Sequence, residues 1–225
     1  MRKFVLYLMV LLALGTLVVQ AQEYVTLGGH RFVPEQNVGA RMRGIPDYGA
    51  STQGWHNVLV QFSQIPSQDE IRSLAKSGIV LKDYVGGKAY MALVKEKRTR
   101  TGISALESAH MVSMVPLRPE WKVDPVLTAG SIPQYAQTAS GHAKVVIHLA
   151  SNAPWSDAPS ALTRVGVEDL HVSEPLGWVT GQVPLNRMTE VASLPWVVRV
   201  ALQDPPAKAN NQGGATLGRA SILNR

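Results

Sequence analysis

Hydrophobic residues alternate between two faces along residues 57–62, and this period of two is typical of a β-strand. One face carries Val58, Val60 and Phe62, and the other carries Leu59 and Gln61. The next segment changes to a helical period. Ser67 and Glu70 have the spacing of a capping box, and Gly78 is the residue type that commonly ends a helix. The pattern therefore predicts a strand followed by a helix.

The same pattern continues to about residue 117. It predicts strands at 79–84 and 88–94 around a Gly86-Gly87 turn, a helix at 101–109 and a fourth strand at 112–117. The resulting order is β-α-β-β-α-β. This order is typical of a ferredoxin-like unit, in which two helices cover one face of a four-stranded antiparallel sheet.

A second series of elements repeats this order. Strands are predicted at 144–150, 167–172, 178–183 and 196–202, with helices at 156–165 and after Pro184. The predicted fold class is therefore α+β, with two tandem ferredoxin-like units. The predicted organisation is a signal peptide at 1–21, a lead-in at 22–56, a first domain at 57–127, a linker at 128–142, a second domain at 143–203 and an extended tail at 204–225.

The N-terminus has the composition of a secretory signal. Arg2 and Lys3 precede an apolar run, and the run ends at Val19-Gln20-Ala21, which places a cleavage point after Ala21. An uncleaved membrane anchor is the rival interpretation, although the apolar run is short for a membrane span. The prediction is a secreted chain with no membrane contact after cleavage.

Composition narrows the function classes. The chain has no cysteine, which excludes disulfides, thiol nucleophiles and zinc fingers. Its formal charge of +6 would fall to +4 without Arg2 and Lys3, so the remaining chain is only mildly basic. The basic run 95–100 and the aromatic residues Phe62 and Tyr90 allow an RNA-recognition interpretation, but the strands lack a stacking platform, and no nucleic acid partner is expected.

No residue cluster predicts catalysis or a cofactor. The histidines lack the spacing of metal ligands on one helix face. They are His30, His56, His110, His142, His148 and His171. Asp69 and Glu70 are explained by a helix N-terminus, and no Gly-rich loop precedes a helix to hold a phosphate or a small effector molecule.

Three sequence segments resemble the N-terminal pro-region of large secreted subtilisin-like serine proteases. They are VLVQF at 58–62, GIVLKDY at 78–84 and VSMVPLRPEWK at 112–122. The resemblance covers most of residues 55–124, and the second unit matches it only in topology. The tail segment NNQGGATLGRASILNR is similar to the join ahead of the catalytic domain in such precursors. None of the protease motifs that carry the catalytic Asp, His or Ser is found in this sequence.

The resemblance implies a non-catalytic partner of a subtilisin-like catalytic domain, in cis or in trans. Such a pro-region docks its sheet on the protease, assists folding and blocks the substrate cleft with its C-terminal extension. The face of the first sheet that its helices leave free is then the expected docking surface, with Leu59, Gln61, Met91 and Leu93 on it. Arg219 and Arg225 are possible processing sites. Two alternatives remain: an exported protein-binding or structural module without a protease partner, and an enzyme in its own right.

Overall fold

The computed structural model describes residues 23–36, 50–96, 109–138 and 141–205. These residues form a mixed α+β fold with antiparallel sheets, which confirms the predicted class. They form one two-stranded sheet and two four-stranded sheets. Ala21, Arg219, Arg225 and most of the predicted helix at 101–109 lie outside the described residues.

The strands of the two four-stranded sheets lie close to their predicted positions, whereas two further strands lie in the lead-in, for which no strand was predicted. The strands are β1 (Val25–Leu27), β2 (His30–Phe32), β3 (Trp55–Phe62), β4 (Ile79–Gly86), β5 (Ala89–Lys95), β6 (Met111–Pro116), β7 (His142–Leu149), β8 (Glu168–Ser173), β9 (Trp178–Pro184) and β10 (Val197–Leu202). The described α-helices are α1 (Gln68–Lys76), α2 (Pro119–Lys122), α3 (Pro125–Thr128), α4 (Ala158–Arg164) and α5 (Met188–Ser193).

Both four-stranded sheets have the same strand order. The first sheet has the order β4-β5-β3-β6, and the second has the order β10-β7-β9-β8. In chain order within each sheet, the first and third strands are central and the second and fourth are at the edges. Every neighbouring pair is antiparallel.

Local signals place α1 where the sequence predicts it. The Glu70 backbone N–H donates to Ser67 Oγ at 3.3 Å, and the Glu70 carboxylate accepts from the Ser67 backbone N–H at 2.7 Å, so the predicted capping box is confirmed. Gly78 follows the helix at φ +83°, a conformation that glycine adopts without strain. The hairpin turn is shifted by one residue from its predicted place, because Gly86 pairs with Ala89 and leaves Gly87 and Lys88 at the turn.

Each four-stranded sheet has its own core on the face that the helices cover. Leu74 of α1 packs with Val58, Val60 and Phe62 in the first core. Leu162 of α4 and Val191 of α5 belong to the second core, together with β7 and β9 residues. At roughly 1.5–3 kcal/mol for each large apolar side chain, burial of this kind is the main stabilising contribution in each unit.

The predicted linker contributes to the second core. Ile132 and Ala136 of this segment are buried there, so residues 128–142 do not form a separate linker. Val123 and Leu127, which the prediction places in the first domain at 57–127, are buried in the same core. Backbone pairing holds the residues before the predicted linker against the second sheet, because the Asp124 N–H donates to the Val200 carbonyl at 2.9 Å. We therefore use the term first unit for residues 55–116 and second unit for residues 118–203.

Candidate protein-binding interface

The sequence predicts a docking surface on the outer face of the first sheet, the face turned away from α1. Strand pairing does bring the four predicted residues together. Leu59 lies opposite Met91, Gln61 follows Leu59 by two positions on β3, and Leu93 follows Met91 by two positions on β5. All four are buried. Leu59 is 0 % exposed, Gln61 is 5 % exposed, and Met91 and Leu93 are each 8 % exposed. The expectation that this face is open to a partner is therefore wrong for the described fold.

The lead-in covers part of this face. Strands β1 and β2 form a hairpin, and Val25 is fully buried in a cluster with Leu59 and Met91. The side chain of Gln61 anchors the hairpin, because its Nε2 donates to the carbonyls of Glu23 at 3.1 Å and Gly87 at 2.9 Å. A buried amide that donates both of its N–H groups is satisfied, which explains a glutamine among apolar neighbours.

Further contacts fix the lead-in to the first unit. Lys88 Nζ lies 2.6 Å from the Glu23 carboxylate, and Ser113 Oγ donates to the Glu35 carbonyl at 2.7 Å. Phe32 also stacks on Trp121 of the second unit, with ring centroids 4.1 Å apart, so the lead-in contacts both units. The sequence carried a weak signal for this hairpin, since Val25 and Leu27 alternate before Gly28-Gly29, but the tertiary contacts that hold it are remote in sequence.

The second unit covers the other end of the same face. Asn57 Nδ2 donates to Asn152 Oδ1 at 3.2 Å and to the Pro195 carbonyl at 3.1 Å. Val198 of β10 packs against the cluster that contains Leu59. The outer face of the first sheet is therefore largely covered by the lead-in and by the second unit, and a groove of about 660 Å³ remains between the units beside Met91 and Leu93.

The outer face of the second sheet has a different environment. Its residues are cross-strand neighbours: Arg199 and Trp178 lie opposite His148, and Thr180 and Ala201 lie opposite Val146. Arg199, Lys144 and His171 are exposed, and Val146, His148, Trp178 and Thr180 are half-buried. This degree of exposure contrasts with the buried outer face of the first sheet and leaves the second sheet able to contact another molecule.

This face carries both signs of charge, with the cations Lys144 and Arg199 and with the carboxylates Asp169 and Asp204 at the groove beside Lys144. The edge of the Trp178 ring meets His148, with centroids 5.8 Å apart and planes at 81°. Burial lowers the pKa of His148, and the nearby Arg199 guanidinium lowers it further, so the imidazole is mostly neutral at pH 7. The permanent cations of the face are therefore Lys144 and Arg199.

A groove of about 430 Å³ lies beside Lys144. Residues lining it include Tyr135, His171, Gln182, Gln203 and Asp204. The Gln182 amide donates to the Asp169 carboxylate at the β8 side of the groove. The groove is partly open and its surface is both polar and apolar, which suits contact with a protein surface better than enclosure of a small molecule.

The acidic pairs noted in the sequence have structural roles. Glu70 caps α1, and hydrogen bonds from Ser67 lower the pKa of its carboxyl group. Asp69 pairs with Arg72 on the exposed side of the same helix. Within the described ranges, no group of three or more His, Asp or Glu side chains is placed to hold a metal ion.

Comparison with known proteins supports the grouping of the lead-in with the first sheet. A family model for a domain of unknown function, DUF8729, matches residues 26–118. This range begins within β1 and ends just after β6, so it contains most of the hairpin and the whole sheet that it covers. No curated protein and no solved structure matches the chain. The part of the chain that the structure describes has no helix long and apolar enough to span a membrane.

Proposed function

We propose that the chain is a non-catalytic pro-region of a secreted subtilisin-like serine endopeptidase, which assists folding of the protease and blocks its substrate cleft. The resemblance of residues 55–124 to such pro-regions supports the protease partner. The signal-like segment before Gln22 supports export.

The proposed fold is a tandem of two ferredoxin-like units. Identical strand order in the two sheets supports this assignment, and so does the placement of α1, α4 and α5 against only one face of their sheets. In the first unit, the segment expected to form the second helix lies between β5 and β6, as this topology requires.

The observation that carries the proposal is the exposed outer face of the second sheet. A pro-region needs a broad surface that a catalytic domain can contact, and a four-stranded sheet is wide enough for a standard interface of about 1,600 Å². Strand β10 belongs to this sheet, and the chain continues from its end into residues 203–225. A docked second sheet would therefore bring the start of the C-terminal segment close to the protease.

An exported protein-binding module without a protease partner is the second candidate. The same exposed face supports it, because a partly apolar centre with charged margins can bind proteins other than a protease. The two candidates predict different effects on a subtilisin-like enzyme. A pro-region slows its peptide hydrolysis and assists its refolding, whereas a binding module without a protease partner does neither.

The test uses the chain from Gln22 to Arg225, which contains every described residue, with mature subtilisin as the probe. We expect it to slow peptide hydrolysis in proportion to its concentration and to raise the yield of active enzyme when denatured subtilisin is refolded. A heat-unfolded sample of the same chain is the control. If the folded chain does neither, the pro-region proposal is wrong and the binding-module alternative is favoured.

A further inference from the structure

We infer that the lead-in hairpin of β1 and β2 is a clasp that holds the two units together, and that release of its Gly28-Gly29 turn lets the units move apart. The inference rests on contacts of this hairpin with the first sheet and with residues 118–125, which we call the connector. It goes beyond the proposed function, because it does not depend on a protease partner.

The first sheet holds the strands of the lead-in hairpin. Val25 is fully buried in a cluster with Leu59 and Met91 of the outer face. Leu27 and Phe32 are partly buried and pack against the same cluster. Because removal of apolar side chains from water is the main source of stability, this packing fixes the hairpin to the first sheet.

The turn of the lead-in hairpin fits tightly against the connector. Gly28 and Gly29 have positive φ, at +57° and +85°. A Cβ at Gly28 would lie 2.4 Å from the Trp121 carbonyl oxygen, and a Cβ at Gly29 would lie 2.8 Å from Cδ of Pro125. Glycine therefore serves two purposes here, since it adopts the turn conformation without strain and allows the close approach.

Two side chains of β2 extend the contact with the connector. His30 Nε2 lies 2.9 Å from the Val123 carbonyl oxygen. Phe32 stacks on Trp121 with the ring planes 14° apart. The Arg118 guanidinium also lies 5.0 Å from the centre of the Trp121 ring. Ring stacking and cation–ring contact both add to the stability that burial provides.

The connector belongs structurally to the second unit. Val123 is buried in the second core, and the Asp124 N–H donates to the Val200 carbonyl of β10 at 2.9 Å. Lys122 Nζ donates to the Ala192 carbonyl at 2.8 Å, at the end of α5. A contact between the lead-in hairpin and the connector therefore joins the first sheet to the second core.

Direct contact between the two units leaves a gap. The hydrogen bonds of Asn57 and Asn152 join the units at one place, and Val198 packs against the cluster of Leu59. A groove of about 660 Å³ remains beside them. Units that meet through a small or partly polar interface are expected to move relative to each other, so the lead-in hairpin is placed to restrict this motion.

The test measures the distance between the two units in the chain from Gln22 to Arg225. Because the sequence has no cysteine, Lys76→Cys and Arg164→Cys introduce two unique sites for spin labels. Both residues are exposed, in the last turns of α1 and α4, and so report on different units. Pulsed electron paramagnetic resonance then gives the distribution of distances between the labels.

Gly28→Ala is the test substitution, and Gly130→Ala is its matched control. Gly130 also has positive φ, at +70°, but a Cβ there would meet nothing within 4 Å. Both variants carry the backbone cost of alanine at positive φ, and only Gly28→Ala disturbs the contact with Trp121. Circular dichroism confirms that each variant is folded. Phe32→Ala removes the ring stacking without a backbone clash and replaces Gly28→Ala if that variant does not fold.

We expect Gly28→Ala to widen the distance distribution about twofold and to speed thermolysin cleavage near Val25 about tenfold, with neither effect in Gly130→Ala. Faster cleavage with an unchanged distribution overturns the inference, because the units would then stay together without the clasp. Unchanged cleavage also overturns it, since the turn would then not hold the lead-in hairpin. Equal widening in both variants overturns it as well, because the contact with Trp121 would then have no special role.

Discussion

Asn57 and Asn152 join the two units through a side-chain hydrogen bond of 3.2 Å, although they are 95 positions apart in the chain. Asn57 also donates to the Pro195 carbonyl, and Asn152 donates to the Thr52 carbonyl at 3.3 Å. The pair therefore connects the end of the first sheet with two loops of the second unit. These hydrogen bonds link the two units side by side.

We expect Asn57→Ala and Asn152→Ala each to lower the free energy of unfolding by about 1 kcal/mol, because each removes hydrogen bonds at a partly buried junction. Their combination should cost less than the sum, with a coupling of roughly 0.5–1.5 kcal/mol, since the residues contact each other. Urea unfolding of the single and double variants measures this. Strict additivity would show that the hydrogen bond between the two side chains contributes nothing.

The hairpin of β4 and β5 offers a matched pair of glycines that tests the lead-in. Gly86 and Gly87 both have positive φ, at +88° and +58°. A Cβ at Gly87 would lie 2.2 Å from the Tyr24 carbonyl oxygen, whereas a Cβ at Gly86 would meet nothing within 4 Å. Only Gly87→Ala should therefore displace the lead-in from the first sheet.

Both substitutions carry the backbone cost of alanine at positive φ, roughly 1 kcal/mol. We expect Gly87→Ala to cost about 2 kcal/mol more than Gly86→Ala and to make the bonds around Val25 easier for a protease to cleave. Urea unfolding and limited proteolysis measure the two effects. Identical behaviour of the variants would mean that the Tyr24 contact does not hold the lead-in.

Local patterns were sufficient for most elements of both sheets. The alternation of Val58, Val60 and Phe62 and the capping box of Ser67 and Glu70 each depend on residues within one turn or strand, so a single sequence contains the necessary information. The described strands of the two four-stranded sheets were predicted for the same reason. The one-residue shift of the turn to Gly87 and Lys88 depends on strand register, which periodicity does not fix.

The expectation of an open face on the first sheet failed because burial depends on distant segments. Alternation shows that Leu59 and Gln61 share a face, but not that Val25 and Val198 cover it. Similarly, small and polar residues around 128–142 indicated a linker, whereas Ile132 and Ala136 pack into the second core. Such contacts between remote segments have no local sequence signature.

Lys122 provides a pH-dependent test of the segment that joins the units. Its side chain is 3 % exposed, and its Nζ donates to the carbonyls of Ala192 at 2.8 Å and Leu194 at 3.3 Å, at the end of α5. Burial lowers the pKa of Lys122 from 10.5 to about 8. As the pH rises from about 8 to 10.5, Lys122 loses its proton in the folded state before it does so in the unfolded state. The contribution of Lys122 to the free energy of unfolding therefore rises with pH over this range.

We compare wild type with Lys122→Met by urea unfolding at pH 7.5, 9 and 10.5, because groups that titrate in both proteins cancel in the difference. The free energy of unfolding of wild type relative to Lys122→Met should rise across this window, by an amount on the order of 1–3 kcal/mol. A flat or falling difference would show that the folded-state pKa of Lys122 is not depressed.

Trp178 tests whether the apolar centre of the second sheet contributes to binding. Trp178→Ala removes a large aromatic side chain from the exposed outer face, and we expect inhibition of subtilisin to weaken at least tenfold. Tyr84→Ala is the matched control, because Tyr84 is a 54 % exposed aromatic residue on β4 of the first sheet. Its loss should alter inhibition less than threefold. Comparable weakening by Tyr84→Ala, with both variants folded, would instead place the contact on the first unit or divide it between the two.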